Sequence, residues 1–320
     1  MNKIMKKLLA GMMAFCILFS STNALAAEID TEVINERWGK PTFAYGETLT
    51  DEQKAGTRKL LGITNPENIN SIKVTYKDLV NYIGGDLSNP ANMISSVLVT
   101  KENEGKGVNV VIKTPKNITE ITEEQYRNAA LTAGVEDATI LVGAIRPVTG
   151  ESALTGVYKA FEANGETLDK ERMEVAQDEL DTVNEISQEN KDKKDFDSTK
   201  LDDAVTDIKS SLGEIKKKQD KNPTLEDIRR VVEESLVKYN LDKVVTQDQM
   251  DKLISYFEKY AKTDAITSEE VAKQLKKWGG AIVDGAKEAY NEAEKSGLLD
   301  QISAFLRDVF NKIADMINNN

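Results

Sequence analysis

Ser235 and Lys238 stand three residues apart in a helical stretch, a spacing that sets a serine nucleophile and a lysine base about one turn from each other. A lysine base is what a serine hydrolase would need here, because the chain has no histidine. Its one cysteine, Cys16, lies in a segment with the marks of an export signal. Once that segment is removed, Ser-His-Asp triads, cysteine nucleophiles, His- or thiolate-bound metals and disulfides are all out of reach. The Ser-Lys pair has no Lys-Thr-Gly companion, and Glu233 and Glu234 beside it suit an exposed helix surface. It is read as a pair of surface residues.

A second pattern, Thr149-Gly150-Glu151-Ser152, joins an apolar strand to a helix. Free amides at such a helix start can hold an anion, with the Thr149 and Ser152 hydroxyls assisting and Arg146 nearby. The same residues also serve packing: Gly150 permits the turn, Ser152 caps the helix, and Ala153, Gly156 and Ala160 allow it to lie close on a sheet. A G-x-S-x-G nucleophile elbow is excluded, because Leu154 stands where the second glycine would be.

Carboxylates are the remaining chemistry. The window 259–270 places Ile266 and Glu270 at EF-hand-like positions, but Lys259, Ala261 and Thr263 stand where oxygen donors are required, and Asp264 replaces the turn glycine. Asp202-Asp203 could hold a loose cation, and a charged helix face accounts for it more simply. Paired carboxylates could hydrolyse a glycan, but their separation is a tertiary property. No cofactor and no metal is expected.

The elements that must position these residues begin with an export signal. Lys3, Lys6 and Lys7 form a basic n-region, Leu8 to Phe19 an apolar h-region, and Ala24-Leu25-Ala26 an A-x-A cleavage site. The apolar run is short for a membrane span, and Phe15 before Cys16 argues against lipid attachment. Removing three lysines and no acids takes the formal charge from −12 to −15. A chain this acidic disfavours nucleic acid, and Lys216-Lys217-Lys218 lies among acids on a solvated helix face.

Four parts are expected: a signal peptide (1–26), a mixed α/β domain (27–165), a helical region (166–280) and an amphipathic C-terminal tail (281–320). In the first domain, strands are predicted at Thr42 to Tyr45, Ile72 to Tyr76, Ile94 to Thr100, Val108 to Lys113 and Ala138 to Ile145. The third and fourth flank Glu104-Gly105-Lys106-Gly107 and read as a hairpin. Helices are predicted after Thr50, from about Thr122, and from Ser152. The helical region reads as Leu168 to Lys194, Thr199 to Lys218, Thr224 to Tyr239, Gln247 to Lys262 and Ser268 to Trp278, forming a bundle or hairpin. The fold class is α+β, a mixed-sheet domain followed by helices.

Three segments, residues 43–53, 126–138 and 147–156, resemble the family called domain of unknown function 1002, the secreted YpuA-like proteins of Gram-positive bacteria. The likeness extends over roughly residues 40 to 240. It implies secretion and a cell-envelope setting, and it carries over no activity, cofactor or catalytic residue.

The tail is the clearest interaction element. Leu298, Leu299, Ile302, Phe305, Leu306, Val309, Phe310, Ile313, Met316 and Ile317 recur at helical spacing on one broad apolar face. That face can pack on the bundle, meet a partner protein, or lie on a membrane surface. The sequence as a whole points to a secreted protein, extracellular or associated with the cell wall. It would bind an envelope protein or wall component without enzymatic activity. The alternatives are a carboxylate-dependent wall glycan hydrolase and a membrane-surface protein acting through the tail.

Overall fold

The computed structural model describes residues 38–279 apart from Gly85, Asp86 and Asn89. The export signal (1–26), Gly280 and the apolar face from Leu298 to Ile317 lie outside the described residues. The chain is α+β. Strands β1 (Thr42–Gly46), β2 (Asn70–Val74), β3 (Ser96–Lys101), β4 (Val108–Ile112) and β5 (Ala138–Gly143) form one mixed sheet in the order β2-β1-β3-β5-β4. β1 runs parallel to β2 and β5 parallel to β4, while β3 is antiparallel to both β1 and β5. Four strands therefore point one way, with the reversed β3 at the centre.

The expected hairpin between the third and fourth strands does not form. β5 inserts between them, pairing Leu98 with Leu141 on one side and Val110 with Ile140 on the other. The physical reason lies in burial. Ala138–Gly143 is apolar except for Thr139 and nearly all buried, so it gains most at an interior position with a neighbour on each edge. The Gly105 and Gly107 turn was compatible with a hairpin but did not require one.

Side chains alternate across the sheet as the pleat requires. Ala44, Val97, Val99, Val110, Ile140 and Val142 face one large core, and Phe43, Leu98 and Leu141 face a smaller one with Leu61, Ile63 and Ile69. Helix α1 (Asp51–Leu60) leads into the small core, and its expected start is confirmed: Thr50 and Gln53 form a capping box. The large core is covered by α2 (Tyr76–Ile83), α3 (Glu123–Thr132) and α4 (Ser152–Ala163). Gly156 of α4 meets the sheet so closely that an added Cβ would sit 3.0 Å from the Val97 methyl. The small residues of this helix do allow the close approach expected of them.

The helical region consists of α5 (Lys170–Asn190), α6 (Ser198–Gln219), α7 (Leu225–Lys238) and α8 (Gln247–Tyr260), then α9, which spans 269–279 within the described residues. Thr224 with Asp227 and Thr246 with Gln249 form capping boxes that set the starts of α7 and α8. These helices build a third, helical core around Ile208, Leu212, Val232 and Phe257. Helix α5 serves the large and the helical cores: Met173, Ala176 and Leu180 face the sheet side, while Val175, Val183 and Ile186 face the helical side. No helix among the described residues is long and apolar enough to cross a membrane.

Candidate functional site

The turn at 146–152 is built for packing more than for ligand capture. Gly150 adopts φ +113°, and an added Cβ would lie 2.5 Å from the Tyr126 hydroxyl. Tyr126 donates to the Gly150 carbonyl at 2.6 Å, and the Glu120 amide donates to the Thr149 carbonyl at 3.3 Å. Ser152 does not cap. It is the first residue of α4, the cap position is Glu151 with no side-chain cap bond, and the Ser152 hydroxyl lies 2.6 Å from that of Ser95. Ser152 is turned away because Ser95 offers it a partner on the sheet side. Arg146 and Thr149 are exposed, and the Thr149 hydroxyl donates to the Glu151 carboxylate at 3.4 Å.

Ser235 and Lys238 do meet one partner, Asp207 of α6. The Ser235 hydroxyl donates to Asp207 Oδ2 at 3.0 Å, and Lys238 Nζ donates to Oδ1 at 2.8 Å. The expectation of surface residues is corrected for Ser235, which is buried at the α6–α7 seam. A lysine held by a carboxylate is a poor base, so this Ser-Lys spacing is used to join two helices.

Asp202 also departs from expectation. The sequence places it on a charged, solvated helix face, yet it is 2% exposed. Its Oδ2 accepts from the Thr122 hydroxyl at 2.9 Å, and its Oδ1 is buried with no partner. Burial pushes this carboxyl up to about 8, with the Thr122 hydrogen bond opposing and the Glu124 charge adding to the rise. Asp203 beside it is pushed to about 6, first by burial and then by Glu124. The second turn of α6 docks against the start of α3, which hides one of the two adjacent acids. Among the described residues, no three or more Asp, Glu, His or Cys side chains converge to hold a metal ion. The 259–270 window contains a short 3-10 turn at Asp264–Thr267.

A cleft of about 1150 Å³ lies between the large core beside the sheet and the helical core. One wall is Ile118 to Thr122, which follows β4 at the carboxyl end of the parallel strands, where ligand crevices of such sheets commonly lie. This segment is fixed to the loop after β5: Asn117 Nδ2 donates to the Ala144 carbonyl at 2.8 Å, and the Ala144 backbone amide donates to Thr114 Oγ1 at 2.9 Å. The other wall is the α5–α6 turn with the loop after α7, including Lys191, Lys194, Phe196, Lys200, Lys243 and Val244. The Lys193 ammonium donates to the Val244 carbonyl at 2.9 Å and ties these two loops together. At the floor, Thr122 bonds Asp202, and the Gln125 amide donates to the Ser187 hydroxyl at 3.4 Å, so the walls are linked across the cleft.

None of Arg146, Thr149, Gly150 or Ser152 lines the cleft, although Thr149 holds the Glu120 backbone that does. Sequence reading missed the cleft because its residues come from three stretches, near 120, 190–200 and 240. The lysine-rich composition of 191–200 was the one available signal.

A family model described as a protein of unknown function (DUF1002) matches residues 45–278. The uncharacterized protein YpuA of Bacillus subtilis (strain 168) is 32% identical over 320 residues, a span that covers 98% of this chain and 99% of that relative. No solved structure matches.

Proposed function

The chain belongs to the DUF1002 family of proteins of unknown function, and from that premise we propose that it is a secreted cell-envelope protein that binds a wall component non-enzymatically through the cleft between its large and helical cores. The export pattern at residues 1–26 supports the location. The single observation that carries the binding reading is the cleft itself: about 1150 Å³, polar, and placed where loops from both cores converge. Three features favour binding over catalysis. Histidine is absent from the sequence, Ser235 and Lys238 are both committed to Asp207, and the strongly perturbed acids Asp202 and Asp203 are not among the cleft-lining residues.

The test is co-sedimentation of residues 27–320 with purified Gram-positive cell walls, with liposomes run in parallel. Binding to walls, weakened by the Lys200→Glu/Lys243→Glu pair, is the expected result. Release of soluble wall fragments would replace this reading with a hydrolase. Binding to liposomes alone, lost on deleting 298–320, would replace it with a membrane-surface protein.

A further inference from the structure

We propose that the cleft takes a short peptide bearing both carboxylate and amino groups; this deepens, and rests on, the reading of the cleft as the binding site.

The first observation concerns charge pairing. Lys191, Lys194, Lys200 and Lys243 line the cleft, and among the described residues not one of them takes part in an ion pair. The same holds for the lining acids Glu120, Asp195, Asp197 and Asp242. Ion pairs do form elsewhere on the surface, Lys252 with Glu185 at 2.7 Å and Lys238 with Asp207 at 2.8 Å among them, and exposed lysines such as Lys59, Lys73 and Lys77 stand outside them; what marks the cleft is that four lysines and four acids share one concavity. Charged residues of both signs therefore gather in the cleft without neutralising one another. Some of their hydrogen-bonding capacity is already used, since Lys191 donates to the Gln188 side chain at 3.1 Å, Asp197 accepts from the Thr199 amide at 3.0 Å and Glu120 accepts from Asn184 at 3.3 Å. None of these bonds neutralises a charge.

The second observation is what such a lining selects. A polyanion would face four carboxylates and a polycation four ammonium groups, and like charges brought together at an interface are penalised. A neutral glycan would leave all these charges unmatched. It would also find a single aromatic side chain in the lining, Phe196, whose ring is partly covered by the helical core. A chain with both signs can match the lysines and the acids at once. The volume exceeds that of most small-molecule pockets and suits several residues of a polymer.

The experiment is calorimetric titration of residues 27–320 with an octapeptide of alternating glutamate and lysine. Octaglutamate, octalysine and an N-acetylglucosamine oligomer are titrated in parallel. The expected result is binding of the mixed peptide at least about tenfold tighter than of either single-charge peptide, a difference that conventional affinity measurements resolve easily. Both Lys200→Glu/Lys243→Glu and Glu120→Lys/Asp242→Lys should weaken it at least about tenfold with unchanged far-UV circular dichroism, and added salt should weaken it further. No binding of the mixed peptide, or binding that both charge-reversed proteins retain, overturns the proposal. If walls still bind through the cleft while the peptide does not, only the ligand class fails. If charge reversal alters neither, the cleft reading falls as well.

Discussion

The Lys209 ammonium pairs with the Glu179 carboxylate inside the protein, with the two side chains 1% and 2% exposed. The remaining Lys209 hydrogens and the second Glu179 oxygen are met by other helices. Lys209 also donates to the Asn128 carbonyl at 3.1 Å and to Thr132 Oγ1 at 2.8 Å, while Glu179 accepts from Thr132 Oγ1 at 2.7 Å and the Tyr256 hydroxyl at 2.8 Å. Burial pulls Lys209 below the usual lysine range, and the Glu179 charge opposes that. Helices α3, α5, α6 and α8 meet at this pair, so it sets the register of the sheet half against the helical half.

Removing one partner should therefore be costly. Glu179→Gln leaves a buried ammonium uncompensated and should lower unfolding free energy by about 3–5 kcal/mol. Combining Lys209→Met with Glu179→Leu should cost less than the two single changes added together. Urea denaturation followed by circular dichroism checks both.

Asp202 makes stability depend on pH. Its folded-state value, about 8, lies above the usual 3.8. The folded protein therefore holds a proton that the unfolded chain releases, and its stability should fall as pH rises from about 4 to about 8, levelling off above. Glu124 and Asp203 are the charged groups that face it, and both sharpen the effect. Asp202→Asn should flatten this dependence and raise stability at pH 8 by on the order of 2–4 kcal/mol. Melts at a series of pH values check it; an unchanged slope would mean that Asp202 titrates normally.

Gly150→Ala should destabilise by about 1–3 kcal/mol, because the positive φ and the crowding act together. Tyr126→Phe alone removes one hydrogen bond, worth about 1 kcal/mol. Adding Tyr126→Phe to Gly150→Ala should recover only part of the loss, since Ile118 Cγ2 would still lie 2.8 Å from the new Cβ. Thermal melts of the three variants separate the contributions.

The free edge of β4 is sealed by side chains. The Val108 amide donates to Gln274 Oε1 at 2.8 Å and the Ile112 amide to Glu123 Oε1 at 2.7 Å, while Arg127 stacks on Trp278 at 4.5 Å. Gln274→Ala leaves a buried amide unsatisfied and should cost about 1–3 kcal/mol. It should also speed hydrogen exchange at Val108. An uncovered edge is a template for pairing with other chains, so light scattering on warming should rise as well.

Much of the helical architecture was legible because its determinants are local. Thr50, Thr122 and Thr224 each announce a helix through a capping residue and its reciprocal partner three positions on, and all three helices begin there. The apolar run at Ala138–Gly143 likewise marked a buried strand. Pairing of β3 and β4 was misread because turn chemistry between them is local, whereas the insertion of β5 is driven by burial across the whole sheet.

By itself, the sequence determined element types, the α+β class, the missing imidazole and the acidic charge, since these follow from composition and short-range periodicity. Only the tertiary structure decided that Asp202 is buried while Asp203 is half-exposed, that Lys209 meets Glu179, and that Glu120, Lys200 and Lys243 share a cleft. Each of those outcomes depends on which helix face meets which neighbour, and residues tens of positions apart carry no local mark of that meeting.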